Sequence, residues 1–360
     1  MLAKPLKAGS SVLVASEVLR QHCELVAFLW AQRDTLLIED PPDFAVAEEI
    51  RGRTEVNLDG LRLAGAAAWP FIVEQHRNFP EKGELFAYSW MAVEQSDQRR
   101  ISEAVDFGRA TDDDARGLIG ALAWHNPRTI APLVRDWIVA PDAFKRFIGV
   151  SACIAHGVDP RQMLARLIRD PDMKVRAQAA RLAGNLKRSD LARDLQAALD
   201  DNHEAVRFWA GWALIELGIG ARAREALRRV VEEAGPDAQM ALRVLIRSGD
   251  EEAVRAWIGG LMKSRVTAPI AVRGVGMLGD RSVLSWLIER MREPIVSAAA
   301  GAAFLELFPE ARNEGGLFSA DPADAGPDFV KHFEDGLITL PIADRVSAWA
   351  RNAGVLVGEI

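Results

Sequence analysis

Apolar positions in this chain recur at helical spacing, and the helices themselves recur at a fixed interval. Val175, Ala179, Leu182, Ala183 and Leu186 stand at i, i+4, i+7 and i+8, which predicts a helix with one buried stripe. Ser189 or Asp190 can cap the next helix, whose stripe is Leu191, Leu195, Ala198 and Leu199. Asp170-Pro171-Asp172-Met173-Lys174-Val175-Arg176-Ala177-Gln178-Ala179 then aligns with Asp201-Asn202-His203-Glu204-Ala205-Val206-Arg207-Phe208-Trp209-Ala210, offset by 31 residues at Asp, Val, Arg and Ala alike. Stepping back by 30 residues links Arg176 to Arg146 and Arg146 to Arg116. Stepping forward from Ala210 meets Ala241, Ala271 and Gly301. Gly249-Asp250 and Gly279-Asp280 repeat one turn, and Asp170-Pro171, Asp200-Asp201-Asn202, Gly235-Pro236-Asp237 and Glu293-Pro294 supply others on the same schedule. No segment alternates with period two in β-branched residues, so no sheet is expected.

A pair of short helices cannot bury its apolar face alone, whereas stacked pairs share one continuous core. Residues 80–308 are therefore expected to form a single repeat array, with Ala179, Ala210, Gly211, Ala241 and Gly301 allowing close helix approach. Residues 1–79 form a cap. A helical stretch from Ser10 to Ile38, with Val14, Val18, Leu25, Leu29 and Leu36 on related faces, stops at Asp40-Pro41-Pro42-Asp43. A second stretch runs from Phe44 to Arg77 and carries Trp69-Pro70. Residues 309–360 lose the period. Asn313 to Pro327 is rich in Gly, Asp, Ala and Pro and reads as a loop or linker, followed by Leu337 to Pro341 and a last helix from Ala343 to Arg351.

Composition narrows the function classes. The 360 residues are 49% hydrophobic and 26% charged, with a net charge of −7, the profile of a globular protein and not of a dedicated nucleic-acid binder. Cys23 and Cys153 are far apart and form no disulfide framework, so a reducing cytoplasm is the expected location. Charge-free runs such as Pro294 to Leu305 fall short of the ~18–20 apolar residues of a membrane span. Met1 to Val18 carries Lys4 and Lys7, but Ser10, Ser11 and Glu17 break its apolar run, and no signal peptide is read there.

The Asp-x4-Val-Arg-x2-Ala pattern resembles the HEAT-like repeat, in particular the short subtype first named for phycobilisome lyases. The segments Gln21-His22-Cys23-Glu24-Leu25-Val26-Ala27-Phe28-Leu29-Trp30-Ala31-Gln32-Arg33-Asp34 and Asn57-Leu58-Asp59-Gly60-Leu61-Arg62-Leu63-Ala64-Gly65 look like the opening of a bacterial HEAT-like family often encoded beside type VI secretion spike and effector genes. Asn57 stands where that family usually has His, Leu25 where it often has Glu, and the tail from Leu340 to Trp349 stops short of the family's aromatic, glycine-rich close. The resemblance implies a right-handed, all-α solenoid of about seven HEAT-like helical pairs with an N-terminal helical hairpin cap. It also implies a gene neighbourhood, and no reaction.

Candidate chemistry is sparse. His203-Glu204 resembles one of the dipeptides by which a HEAT-like hydroxylase family holds two irons, but the equivalent positions are Asp172-Met173 and Ala234-Gly235, so a polar helix start is the better reading. His22 and Cys23 are adjacent on a helix and point about 100° apart, so they do not form a base and nucleophile; Cys23 packs as a small hydrophobe. His76, His125, His156 and His332 fit no zinc spacing. Asp112-Asp113-Asp114 reads as three carboxylates at a helix start, capping free amides, in preference to a metal site. Phosphate-binding loops and the Gly-x-Ser-x-Gly elbow are absent, and Gly274-Val275-Gly276 reads as a packing accommodation. No metal or other cofactor is expected.

Charge is unevenly placed: +4 over Asp159–Asp194, −5 over Glu39–Asp59 and −6 over Glu306–Asp335. Acidic ends around a basic middle can select a partner by complementary potential; otherwise the basic stretch reads as a solvated surface, with Arg176 and Arg207 paired to the repeat aspartates, or as a grip on nucleic-acid phosphates through Arg166, Arg169, Lys174, Lys187 and Arg188. Ten tryptophans stand against a single tyrosine, Tyr88. Trp257 and Trp286 occupy matched places in the second helices of consecutive repeats, the helices that line the concave face of HEAT-like stacks. They are either inter-repeat core or, with Arg224 and Arg228, a partner-binding set. Trp209 and Trp212 are expected in the core. The expected function is a non-catalytic scaffold that holds another protein. A repeat-lyase type of enzyme acting on a bound cofactor or a protein side chain is the alternative, and nucleic-acid binding the second.

Overall fold

The computed structural model describes residues 16–113, 115–333 and 338–355. Lys4, Lys7, Ser10, Ser11, Val14, Asp114 and Leu337 lie outside the described residues. The fold is all-α, built from helical repeats, and its elements gather into two compact units, Met1–His156 and Gly157–Ile360.

The first unit contains α1 (Ser16–Ile38), α2 (Phe44–Ala64), α3 (Trp69–Asn78), α4 (Lys82–Glu94), α5 (Gln98–Arg109), α6 (Arg116–Trp124), α7 (Pro127–Trp137) and α8 (Ala143–His156). Helix α1 ends at Ile38, ahead of the Pro41-Pro42 pair. The stretch from Phe44 to Arg77 is two helices and not one. Gly65 takes φ +56 at the end of α2, a 3-10 turn covers Gly65–Ala68, and Pro70 restarts the chain in the first turn of α3. Helix α4 stacks on α1 and α6, and α6 on α8. The α4–α6 crossing is so close that a Cβ at Gly117 would lie 2.2 Å from the Lys82 carbonyl oxygen. Trp30 stacks on Phe86 at 4.7 Å between ring centres, joining α1 to α4. Asp34 receives Arg116 through both carboxylate oxygens (2.9 and 2.7 Å) and Lys82 at 2.9 Å, tying α1 to α4 and α6. Burial pushes the Asp34 carboxyl up, and the hydrogen bonds and charges of Arg116 and Lys82 outweigh that and hold it below its usual range.

The second unit contains α9 (Gln162–Leu167), α10 (Met173–Asn185), α11 (Ala192–Ala198), α12 (Glu204–Glu216), α13 (Ala221–Glu232), α14 (Ala238–Ser248), α15 (Glu251–Leu261), α16 (Ala268–Met277), α17 (Leu284–Met291) and α18 (Pro294–Leu307). One layer, α10, α12, α14, α16 and α18, packs neighbour to neighbour. The intervening helices pack on their neighbours in this layer, α11 and α13 on α12, α15 on α16 and α17 on α18. Gly276 permits the closest approach in that layer, since its Cβ would fall 2.6 Å from the Ala303 Cα on α18.

Beyond Pro309 the described residues are largely an exposed loop, as expected for Asn313 to Pro327, anchored by short packed segments. Phe318–Ser319 (β1) pairs antiparallel with Leu340–Pro341 (β2), between which lies the short α19 (Pro327–His332). The last helix, α20 (Ala343–Asn352), buries Val346 and Ala350 in one cluster with Phe304, Phe308 and Leu317. Gly301 serves this contact: a Cβ there would meet Phe318 and Pro341, so the helix approach expected at that position is made by the tail instead.

Candidate functional site

The Asp-x4-Val-Arg pattern sets the frame on which any surface of the second unit is held. Arg176 donates from Nη1 to the carbonyls of Asp170 and Pro171, both at 2.9 Å, and from Nε and Nη2 to the Asp201 carboxylate at 2.8 and 3.0 Å. Arg207 donates likewise to the carbonyls of Asp201 (2.9 Å) and Asn202 (3.0 Å). Arg176 therefore pairs with a repeat aspartate as expected, whereas Arg207 holds backbone carbonyls of its own turn. Burial pushes the Asp201 carboxyl up, but Arg176 and the His203 backbone N–H more than offset this and leave it below its usual range.

Arg228, Trp257 and Glu232 come together on this frame. Arg228 and Glu232 stand one turn apart on α13, and Trp257 on α15 slides between their reaches. The Arg228 guanidinium carbon lies 5.4 Å from the centre of the Trp257 ring, and the indole Nε1 donates to Glu232 Oε1 at 3.3 Å. Trp257 is half-buried, with its ring against the cluster of Leu227, Val231, Val254 and Ile258. It is thus an aromatic side chain fixed on its inner edge by packing and on its outer edge by one cation and one carboxylate.

Arg224 faces elsewhere. Its Nη2 donates to the Ser248 carbonyl at 3.2 Å, at the end of α14. Trp286 is half-buried against the neighbouring cluster of Leu284, Leu287 and Phe304, under its own Arg290 at 5.6 Å. The two tryptophans therefore belong to different clusters, each with its own arginine.

Trp209 and Trp212, expected in the core, are half-buried at its edge. Their rings meet edge to face at 5.6 Å, and the Arg181 guanidinium covers Trp209 at 4.6 Å. Trp212 reaches the close α10–α12 contact: a Cβ at Gly184 would lie 2.4 Å from its ring and 2.8 Å from the Ala213 Cα, so the glycine makes room for the indole's inner edge. A further cluster escapes sequence reasoning. Glu306 on α18 accepts from Arg243 of α14 (2.7 and 3.0 Å) and from Arg273 of α16 (2.5 Å), whose side chain is fully buried. The Arg243 hydrogen bonds, then those of Arg273, pull the Glu306 carboxyl down to about 2 against the opposing effect of burial.

Other candidate residues take structural places. His203 sits at the N-cap of α12 with Glu204 as the first helical residue, both exposed, a polar helix start. Cys23 is buried, and burial pushes its thiol up to about 12. Asp112 and Asp113 do not cap α6; Ala115 occupies that position with φ +57, and the Thr111 hydroxyl accepts its N–H at 3.3 Å. In the basic stretch Arg169 pairs with Asp194, Lys187 with Glu216, and Arg188 with Asp159 and Asp190. Those cations are already matched by carboxylates. Among the described residues no group of three or more His, Cys, Asp or Glu is arranged to hold a metal ion, and no helix is long and apolar enough to cross a membrane.

No curated protein matches this chain. The family model of HEAT repeats matches residues 160–246, the segment from the turn before α9 to α14 that carries Arg176, Asp201, Arg207, Arg224 and Arg228, and with the helical architecture it supports a HEAT-like repeat protein.

Proposed function

We propose that this protein is a non-catalytic scaffold that binds another protein, with the Arg228–Trp257–Glu232 group as its contact point. HEAT repeats commonly mediate protein–protein interaction, which fits this role. The observation that carries the reading is the fixed, half-exposed Trp257 indole, held between a cation and a carboxylate. Trp and Arg are the residue types that concentrate binding energy at protein interfaces, and a ring already immobilised loses little entropy on docking. Trp286 under Arg290 and Arg224 at the end of α14 extend the same proposal to the neighbouring repeats.

The finer reading is a cytoplasmic accessory or adaptor that loads a type VI secretion effector or spike component. What supports it is the resemblance of the His22 and Asn57 segments to that HEAT-like family. His22 Nδ1 lies 2.9 Å from Asn57 Oδ1, so the family's substituted position touches its partner segment directly.

The test is an affinity pulldown of tagged protein from its own cells, read by mass spectrometry, in parallel with Trp257→Ala. A specific enriched protein that is lost with the variant supports the scaffold reading, and a spike or effector component supports the finer one. A folded protein that captures nothing overturns both.

A further inference from the structure

An open cavity of about 640 Å³ lies in the first unit, where the ends of α3 and α5 meet the turns that follow them. One wall is aromatic. His76 stacks on Phe107 with ring centres 4.3 Å apart and planes 29° apart, and Tyr88 backs both rings at 5.6 and 5.2 Å. His76 is nine-tenths buried, yet no described residue hydrogen-bonds to its ring nitrogens, and the cavity is the space it borders.

The rim is acidic. Glu81, Asp112 and Asp113 line it, and Asp113 Oδ1 is buried with no protein hydrogen-bond partner. A buried carboxylate oxygen without a donor costs free energy, which marks Asp113 as an electrostatically unsatisfied member of the rim. Lys82 also lines the cavity, its ammonium held by Asp34 at 2.9 Å and by the Thr35 hydroxyl at 3.0 Å; Asp34 serves Arg116 as well, so these three groups leave one positive charge, against the three carboxylates of the rim.

We propose that this cavity binds a small organic cation, an alkylammonium or a guanidinium, with its charge among Asp113, Asp112 and Glu81 and its carbon stem on the His76–Phe107 ring pair. A cation on an aromatic face beside carboxylates is favoured both by the ring quadrupole and by charge. Burial lowers the His76 pKa, so at neutral pH the imidazole is uncharged, does not repel the ligand and can accept one of its N–H groups. The volume is larger than a diamine or an arginine side chain, so such a ligand would occupy only the part between the ring pair and the carboxylates. A bare metal ion is disfavoured, because the carboxylates are not gathered into a ligand set.

Calorimetric titration of the full chain tests this, with 1,4-diaminobutane representing a free amine and N-acetyl-arginine amide representing a protein side chain, followed through the His76 ring signals by NMR. At least one of the two is expected to bind and to shift His76, and which one does so identifies the source. Asp113→Asn is expected to weaken that binding about ten-fold or more. Should Asp113→Asn unfold, Glu81→Gln with Asp112→Asn at the open rim carries the same test. The proposal is overturned if neither cation binds up to about 10 mM. It is equally overturned if propionate shifts His76 as strongly, if magnesium displaces the organic cation, or if the variants leave the affinity unchanged.

Discussion

Arg176 grips the carboxylate of Asp201, 25 residues ahead, with two nitrogens while its third closes the turn of its own repeat. This one side chain explains why the repeat needs Asp and Arg at fixed places. The turn leaves backbone carbonyls without helical partners, the arginine fork satisfies two of them, and the next repeat's aspartate neutralises the buried charge. Arg207 shows the first half of the device alone.

Removing Arg176 therefore costs more than removing Arg207. Arg176→Ala is expected to lower stability by about 2 kcal/mol and Arg207→Ala by about 1 kcal/mol. For a domain of this size the former corresponds to a fall of roughly 4–8 °C in Tm, readable by calorimetry. Asp201 has a lowered pKa in the folded state, so its contribution is complete above the pKa of the unfolded chain and is lost as pH falls through the folded value. The stability gap between the wild type and Asp201→Asn should accordingly close in acid. A gap constant across pH would contradict the ion pair.

The Glu306 cluster follows the same sign over a wider window. Its folded pKa of about 2 lies below the ~4.3 of a free glutamate, so its stabilisation is present above about pH 4.3 and disappears between there and about pH 2. Glu306→Gln takes the charge away from the fully buried Arg273 and the more solvent-screened Arg243, and is expected to cost about 2–4 kcal/mol near neutral pH. Urea denaturation at a series of pH values should show the variant and wild type converging in acid.

Cys23 should be chemically silent in the folded protein. With its thiol raised to about 12 by burial, it carries about a thousand times less thiolate at pH 8 than a free cysteine. Alkylation by iodoacetamide should be negligible in buffer and rapid in urea. Fast labelling of Cys23 in the native chain would reopen its reading as a nucleophile.

The repeat was legible because its signals are local. Val175, Val206 and their arginines recur at fixed spacing, and the helices beginning near Met173 and Glu204 follow from it. What escaped depends on how helices cross. Phe208 is fully buried while its neighbour Trp209 is half-exposed, and Trp212 fits its ring against Gly184 of the adjacent helix; which of three aromatic residues on one helix goes deepest is set by that crossing. Gly65 breaks the Phe44–Arg77 stretch by a positive φ that helical periodicity does not report. The meeting of Arg228 with Trp257, 29 residues apart, and of His76 with Phe107 and Asp113, is set by tertiary packing, and no spacing rule announces it.

The two tryptophans proposed for partner contact offer a test that separates binding from packing. Each is half-buried, so truncation removes only part of the apolar contact that a core aromatic loses. Trp257→Ala and Trp286→Ala are each expected to cost about 1–2 kcal/mol of stability, against about 3–5 kcal/mol for Phe208→Ala. Because they pack in different clusters, their stability costs should add to within about 0.5 kcal/mol in the double variant. Arg228→Ala should weaken partner binding by the same route as Trp257→Ala, since it lifts the cation that holds the ring, and the two losses should be less than additive. Arg224→Ala should weaken partner binding less than Arg228→Ala and also lower Tm, since it frees the end of α14. A Trp257→Ala protein that melts as low as the Phe208→Ala protein would assign the ring to the core. One that keeps its Tm and loses the partner would assign it to the interface.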